Sequence, residues 1–422
     1  MVSIIKIYKT RIFIILLLFS FLWSIYINEN NEKNNFDIKY KKIEEFEKYI
    51  SKSFFSSFFF ENEASEIKKF LKMNENGLLI NENRLINFKR NNNPDVSVIM
   101  TVFNQAECFY KGLRSIQNQS LRNIEIIMVD DCSSDNSVDI IEKYQKEDNR
   151  IILIKHMINY GTIKSRSDAI KLAKGKYITI IDGDDLLAQK NILFYGLNIA
   201  NIGNLDIVEF KLIYNYKSMF KGNGVNEGKI KNINNRIIYQ PELKYIFIKL
   251  NQLWSLKNRN ICQKLIKNEV FKEIIKYIGP KYTEDFIIQF EDSIMALSLF
   301  FLSKSYYLLK KVGYYRSKCE CLKCLINEKK FIHNRNKLDS MKYINFLSDK
   351  LSDNKYNTQF IFYELLSVAH YNHNFELNNN MDFKFVYKII DDITKKFSFF
   401  NKSQIDKITD IKNKLLKQIY LI

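Results

Sequence analysis

Proline is almost missing from this chain, at three in 422 residues, and glycine is scarce at 12. Collagen-like repeats and Gly/Ser-rich low-complexity chains are thereby excluded. Six cysteines are too few for a disulfide scaffold at this length. No glycine-rich phosphate loop of the Walker or dinucleotide type occurs in the sequence. What the chain does have is apolar bulk: 46% hydrophobic residues, including 33 Phe and 25 Tyr, enough to build a packed core.

The net charge of +18 raises the question of nucleic acid. Lysine, however, is spread among Asp and Glu throughout, and arginine, the better base and phosphate reader, is sparse. Asparagine runs at 91–93 and 378–380 point to a bias of the whole chain and not to a basic patch. No nucleic-acid partner is expected.

One uncharged apolar run stands out, IFIILLLFSFLWSIYI at residues 12–27. As a helix it would rise about 24 Å, slightly short of a typical hydrocarbon core. Lys6, Lys9 and Arg11 precede it and no small-residue cleavage site follows Trp23, so a retained signal anchor is favoured over a cleaved signal peptide. The expectation is a single-pass type II membrane protein of the Golgi or endoplasmic reticulum with its catalytic domain in the lumen. Residues 1–11 would be the cytosolic tail, 12–27 the transmembrane helix and 28–94 a stem ending at Pro94.

Beyond Pro94, short apolar runs alternate with helical periodicity. Val96–Val102, Ile124–Val129, Ile151–Ile154 and Tyr177–Ile181 read as strands, with helices near Ala106–Gln117, Ser137–Gln145 and Ile163–Lys174 between them. Such a pattern indicates a parallel sheet with helices on both faces. Ligands of such sheets bind beyond the carboxyl ends of the strands, where this chain places Thr101 to Asn104, Asp130-Asp131 and Asp182-Gly183-Asp184-Asp185. Three carboxylates within four residues repel one another unless a cation sits between them. Mg2+ or Mn2+, which prefer oxygen ligands and keep positions for substrate phosphates, would serve. Two acidic strand ends in a βαβ arrangement point to a nucleotide-diphosphate site.

These stretches resemble the family 2 glycosyltransferases. The resemblance runs through Val96–Asn104, Ser115–Ser120, Glu125–Ser137, Asn159–Gly161, Ser165-Arg166 and Ala173–Asp185, about 90 residues with motifs in order. A weaker likeness continues through Cys262–Ile266, Phe290–Met295 and Tyr314–Arg316. It implies an α/β GT-A nucleotide-diphospho-sugar transferase fold over residues 95–320, with a Rossmann-like, mostly parallel sheet. It also implies an inverting, metal-assisted glycosyltransferase. Thr101, Asn104, Asp130, Asp131, Arg166 and Asp182 would bind the nucleotide-sugar, Arg166 near the pyrophosphate. Asp182, Asp184 and Asp185 would form the DxD-type motif that holds Mn2+ or Mg2+. Of two downstream acid pairs, Glu284-Asp285 and Glu291-Asp292, the second precedes an apolar helix as in the family, so Asp292 is the expected general base, with Glu291 supporting the acceptor pocket. The donor would be a UDP-sugar, and the acceptor a hydroxyl of a glycan, lipid or protein. The rival readings are an inactive relative that only binds, and a sugar-phosphate nucleotidyltransferase, which would want a Gly-rich basic loop that Thr101–Glu107 does not supply.

Residues 321–422 read as a helical extension, with Leu338, Met341, Ile344, Leu347 and Leu351 on one face and Ile405, Ile408, Ile411, Leu415 and Ile419 on another. Cys319, Cys321 and Cys324 favour a disulfide over zinc in a lumenal setting. Cys108 and Cys132 are expected as small buried residues and His156 as a hydrogen-bonded structural one.

Overall fold

The computed structural model describes residues 39, 41–46, 59–75, 92–213, 236–243, 260–287, 290–317, 339, 342–351, 357, 361, 365 and 380–420. The apolar segment at 12–27 and the cysteines at 319–324 lie outside them. Among the described residues, no helix is long and apolar enough to cross a membrane.

Four parallel strands form one half of the sheet in the order β3-β2-β1-β4. They are β1 (Val96–Val102), β2 (Ile124–Asp130), β3 (Ile151–Lys155) and β4 (Tyr177–Asp182). Every residue of β2 is buried, as expected of a strand covered on both faces. The other half is mixed. β4 pairs antiparallel with β8 (Lys264–Lys267), β8 antiparallel with β6 (Ile207–Ile213), and β6 parallel with β9 (Ser305–Tyr315). Two short strands, β5 (Leu186–Leu187) and β7 (Ile238–Tyr239), join β9 antiparallel. The sheet is therefore mixed where a mostly parallel one was expected. The added strands are short or carry lysines within them, so they lack the predominantly apolar signature that marked the first four.

Register fixes the site. Thr101 lies opposite Val129 on one side and Asp182 on the other, and Val102 lies opposite Asp130. The carboxyl ends of β1, β2 and β4 thus form one rim. Helices α2 (Phe109–Gln117), α3 (Ser137–Glu147) and α4 (Thr162–Leu172) connect these strands, as the periodicity predicts.

The stretch expected as a stem does not all stand clear of the domain. Ile43 is fully buried in the main core, and Ile67 and Leu71 of α1 (Phe59–Glu75) pack with Leu186, Ile213 and Val312. Asn118 Nδ2 also donates to the buried Asn74 Oδ1 at 2.7 Å. The C-terminal region is likewise continuous with the core: Tyr343, Ile344, Phe346, Leu347 and Leu351 belong to the same cluster as the central strands. In the last helix, Ile408 is buried and Ile405 is exposed, so the apolar face expected there is only partly covered.

Candidate active site

The loops after β1 and β2 are bound to each other. Asn104 sits at φ 50°, in the left-handed region that Asn tolerates better than most residues. Its backbone N–H donates to Ser133 Oγ at 2.9 Å, while its Oδ1 accepts from the Ser134 N–H at 2.8 Å. Ala106 N–H donates to Asp135 Oδ2 at 3.0 Å and Gln105 N–H to Ser137 Oγ at 3.2 Å. The side chains of the Ser133–Ser137 stretch therefore serve backbone groups of the neighbouring loop. Asp130 is 2% exposed and accepts from the Ser133 N–H at 3.0 Å, leaving its other oxygen, Oδ1, buried without a partner.

Asp131 holds the next loop. Its carboxylate accepts from the backbone N–H of Tyr160 at 2.9 Å and of Gly161 at 2.8 Å, and lies 2.8 Å from His156 Nδ1. Gly161 has φ 85°, and a Cβ there would also press on the Ile287 carbonyl, so glycine is required at this turn into α4. His156 is packed edge-on against Tyr160 and its Nε2 lies 3.4 Å from Asp168, in keeping with a structural role. Cys132 departs from expectation: Cys108 is buried, whereas Cys132 is exposed at φ 66°, because the turn after β2 points its side chain outward.

The acids of β4 separate into three environments. Asp182 Oδ1 accepts from Arg166 Nη2 at 2.8 Å. Asp185 is 2% exposed and turned inward, its two oxygens taken by the Tyr314 hydroxyl at 2.8 Å and the Ser317 N–H at 2.9 Å. Asp184 forms no ion pair or hydrogen bond with another described residue, and burial together with the nearby Asp182 raises its pKa. The three carboxylates do not converge, and among the described residues no group of three or more His, Cys, Asp or Glu side chains is arranged to hold a metal.

Arg166, 2% exposed on α4, reaches across the site to α8 (Glu291–Leu302). Its Nη1 donates to Asp292 Oδ1 at 2.6 Å and lies 3.8 Å from Glu291 Oε1. One buried guanidinium thus joins the end of β4 to the start of α8. Burial and the adjoining Asp292 push Glu291 up to about 8. Burial also raises Asp292, with Arg166 pulling the other way. The alternative pair lies elsewhere: Glu284 faces Lys164 at 3.2 Å and Asp285 faces Lys342 at 2.6 Å.

Tyr314 and Ser317 escaped the sequence reading as site residues. Their contacts to Asp185 span more than a hundred residues, and neither side chain carries charge. The only signal for Tyr314 was the Tyr314–Arg316 stretch of the weaker likeness, which stops one residue short of Ser317.

Residues 97–275 match the family described as Glycosyl transferase family 2. An uncharacterized glycosyltransferase of Methanocaldococcus jannaschii, MJ1057, is 30% identical over 205 residues, covering 47% of this chain and 69% of that protein. The Escherichia coli UDP-Glc:alpha-D-GlcNAc-diphosphoundecaprenol beta-1,3-glucosyltransferase WfaP is 42% identical over 90 residues, which is 21% of this chain and 35% of that protein. The crystal structure of S. aureus TarS 1-349 in complex with UDP-GlcNAc superposes with a TM-score of 0.50 at 17% identity, covering 72% of this chain and 82% of that one. That likeness shows the α/β fold. The expected residence in the Golgi or endoplasmic reticulum is overturned: these relatives are archaeal and bacterial, from cells with neither compartment.

Proposed function

The chain belongs to glycosyl transferase family 2 and is a glycosyltransferase, and from that premise we propose that it moves a sugar from a UDP-linked donor to a hydroxyl acceptor with inversion, assisted by a divalent cation. The observation that carries the proposal is the Arg166 bridge, with Asp182 of the strand rim on one side and Asp292 on the other. It brings a donor-side acid and a base-side acid to opposite sides of one guanidinium. Inversion by a single displacement needs that arrangement: a leaving-group site on one face of the sugar and a proton acceptor on the other.

In this reading the acceptor oxygen attacks the anomeric carbon as the bond to the diphosphate breaks, and Asp292 takes the hydroxyl proton. Arg166 holds the Asp292 carboxylate in place. Glu291, protonated near neutral pH, adds no second negative charge beside it. Thr101 and Asp131 would flank the nucleobase. Asp131 has three of its roughly four acceptor positions filled within the chain, and the fourth would take the N3–H of uracil. Arg166, drawn toward two acids, would meet the diphosphate only alongside them.

The donor set fits a cation in one mode. Mg2+ and Mn2+ often use one or two carboxylates and complete their shell with water and substrate phosphates. Asp184 forms no hydrogen bond or ion pair with another described residue, only the longer-range attraction of Arg316, and Asp182 lies beside it, whereas Asp185 is committed to Tyr314 and Ser317. Asp184, with Asp182, would hold the cation, and the bound cation would neutralise charge gathering on the departing diphosphate. WfaP is named for a UDP-Glc donor and a lipid-linked acceptor, which supports a UDP-sugar donor and a lipid-linked glycan acceptor here.

The test is release of nucleoside diphosphate from a panel of UDP-, GDP- and dTDP-sugars, with and without Mn2+, beside Asp184→Ala. Metal-dependent release of UDP from one donor, lost in the variant, is expected. Metal-independent turnover that survives Asp184→Ala would overturn the reading.

A further inference from the structure

We propose that Tyr314 is a positioning residue for the cation site: its hydroxyl ties both ends of the Asp182–Asp185 turn and so leaves Asp184 facing the diphosphate. This rests on the reading of Asp184 as a cation-holding residue. The local topology requires such a group. β4 pairs with β8 only at Tyr177 and Ile178, so the last residues of β4 have no ladder partner on that side. The Tyr314 hydroxyl takes that place, accepting from the Asp182 N–H at 3.2 Å and donating to Asp185 Oδ2 at 2.8 Å.

Other contacts clamp the same turn. The Asp185 N–H donates to the Asp182 carbonyl at 3.0 Å, the Ser317 N–H holds the second Asp185 oxygen, and Leu186 and Leu187 pair with Tyr315 and Tyr314. On the opposite side, Gly112 of α2 lies so near that a Cβ there would stand 2.5 Å from the Asp185 carbonyl. Tyr314 itself is fully buried. Its hydroxyl is therefore satisfied within the turn, and replacing it with hydrogen leaves the Asp182 N–H and the buried Asp185 carboxylate each short of a partner. Groups that orient a metal's ligands typically govern affinity by ten- to a hundredfold.

The experiment measures Mn2+ binding to the full chain in the presence of UDP, by calorimetry and by the Mn2+ paramagnetic resonance signal, for wild type, Tyr314→Phe, Asp185→Asn, the double variant and Asp184→Ala. Tyr314→Phe is expected to weaken Mn2+ binding about tenfold. Turnover at saturating Mn2+ should change by less than about threefold, since a positioning residue acts through another group. The double variant should be no weaker than the poorer single one, because both changes break the same contact. Wild-type affinity in Tyr314→Phe, with binding lost in Asp184→Ala, would overturn the positioning role alone. Additive losses in the double variant would overturn it too. Absence of Mn2+ binding by the wild-type chain with UDP would overturn the reading of Asp184 and the proposal with it. Should Tyr314→Phe not fold, Asp185→Asn tests the same contact from its other end: unaltered Mn2+ affinity there contradicts the proposal.

Discussion

Arg166 and Glu291 show how individual side chains set the charge state of this site. One guanidinium, 2% exposed, faces Asp182, Asp292 and Glu291. Removing it as Arg166→Met leaves two acids without their shared cation. The expected destabilisation is about 3 kcal/mol, read as a lower denaturation midpoint. A midpoint matching wild type would mean that the acids find other partners. Glu291 gives a pH signature. Its pKa in the folded chain, about 8, lies above the unfolded value near 4.5. The native state therefore binds more protons between those limits, and stability from this group is present at low pH and lost as pH rises through about 8. From pH 6 to pH 9 the loss should be about 2–3 kcal/mol, and Glu291→Gln should remove it. An unchanged slope in the variant would contradict the assignment.

At the scale of elements, two contacts position the site from outside it. Gly112 lets α2 lie against the Asp182–Asp185 turn. Gly112→Ala should overpack that contact, costing about 1–3 kcal/mol and reducing activity by shifting Asp184. A variant as stable and active as wild type would show that the helix can move away freely. The second contact belongs to the C-terminal region: Tyr343 stacks on Phe290, ring centroids 5.5 Å apart and 18° from parallel. Phe290 immediately precedes Glu291 and holds φ 65°, a strained value for a bulky residue, so the stack helps fix the start of α8. Tyr343→Ala should lower turnover severalfold with little change in UDP affinity. Loss of UDP affinity instead would place its effect on the nucleotide loops.

Across the whole molecule, what the sequence made legible follows from how each feature is encoded. The four parallel strands were readable because short, strongly apolar runs such as Ile126–Val129 recur between helical segments, and two of them, β2 and β4, end abruptly in acids. The second half of the sheet was not, because β5 has two residues and β8 places Lys264 and Lys267 among its four. Sequence spacing also cannot tell a ligand-facing acid from one that serves the backbone. Asp184 and Asp185 are adjacent, yet the first makes no hydrogen bond or ion pair with another described residue and the second is bound to Tyr314 and Ser317. Asp131 similarly combines its place on the rim with anchoring the Tyr160-Gly161 turn. The partners that decide these cases arrive from distant strands. The proximity of Asp292 to the end of β4 is likewise a product of folding, since Arg166 spans 126 residues of chain to reach it.

In the proposed reaction Asp292 removes the acceptor proton while the acids at the end of β4 serve the donor. It is tested most directly by the transfer rate of Asp292→Asn at saturating UDP-sugar and Mn2+, with UDP affinity measured on the same protein. Transfer should fall at least about a hundredfold with UDP affinity nearly unchanged. Transfer within about threefold of wild type would contradict it, because an amide cannot act as the base.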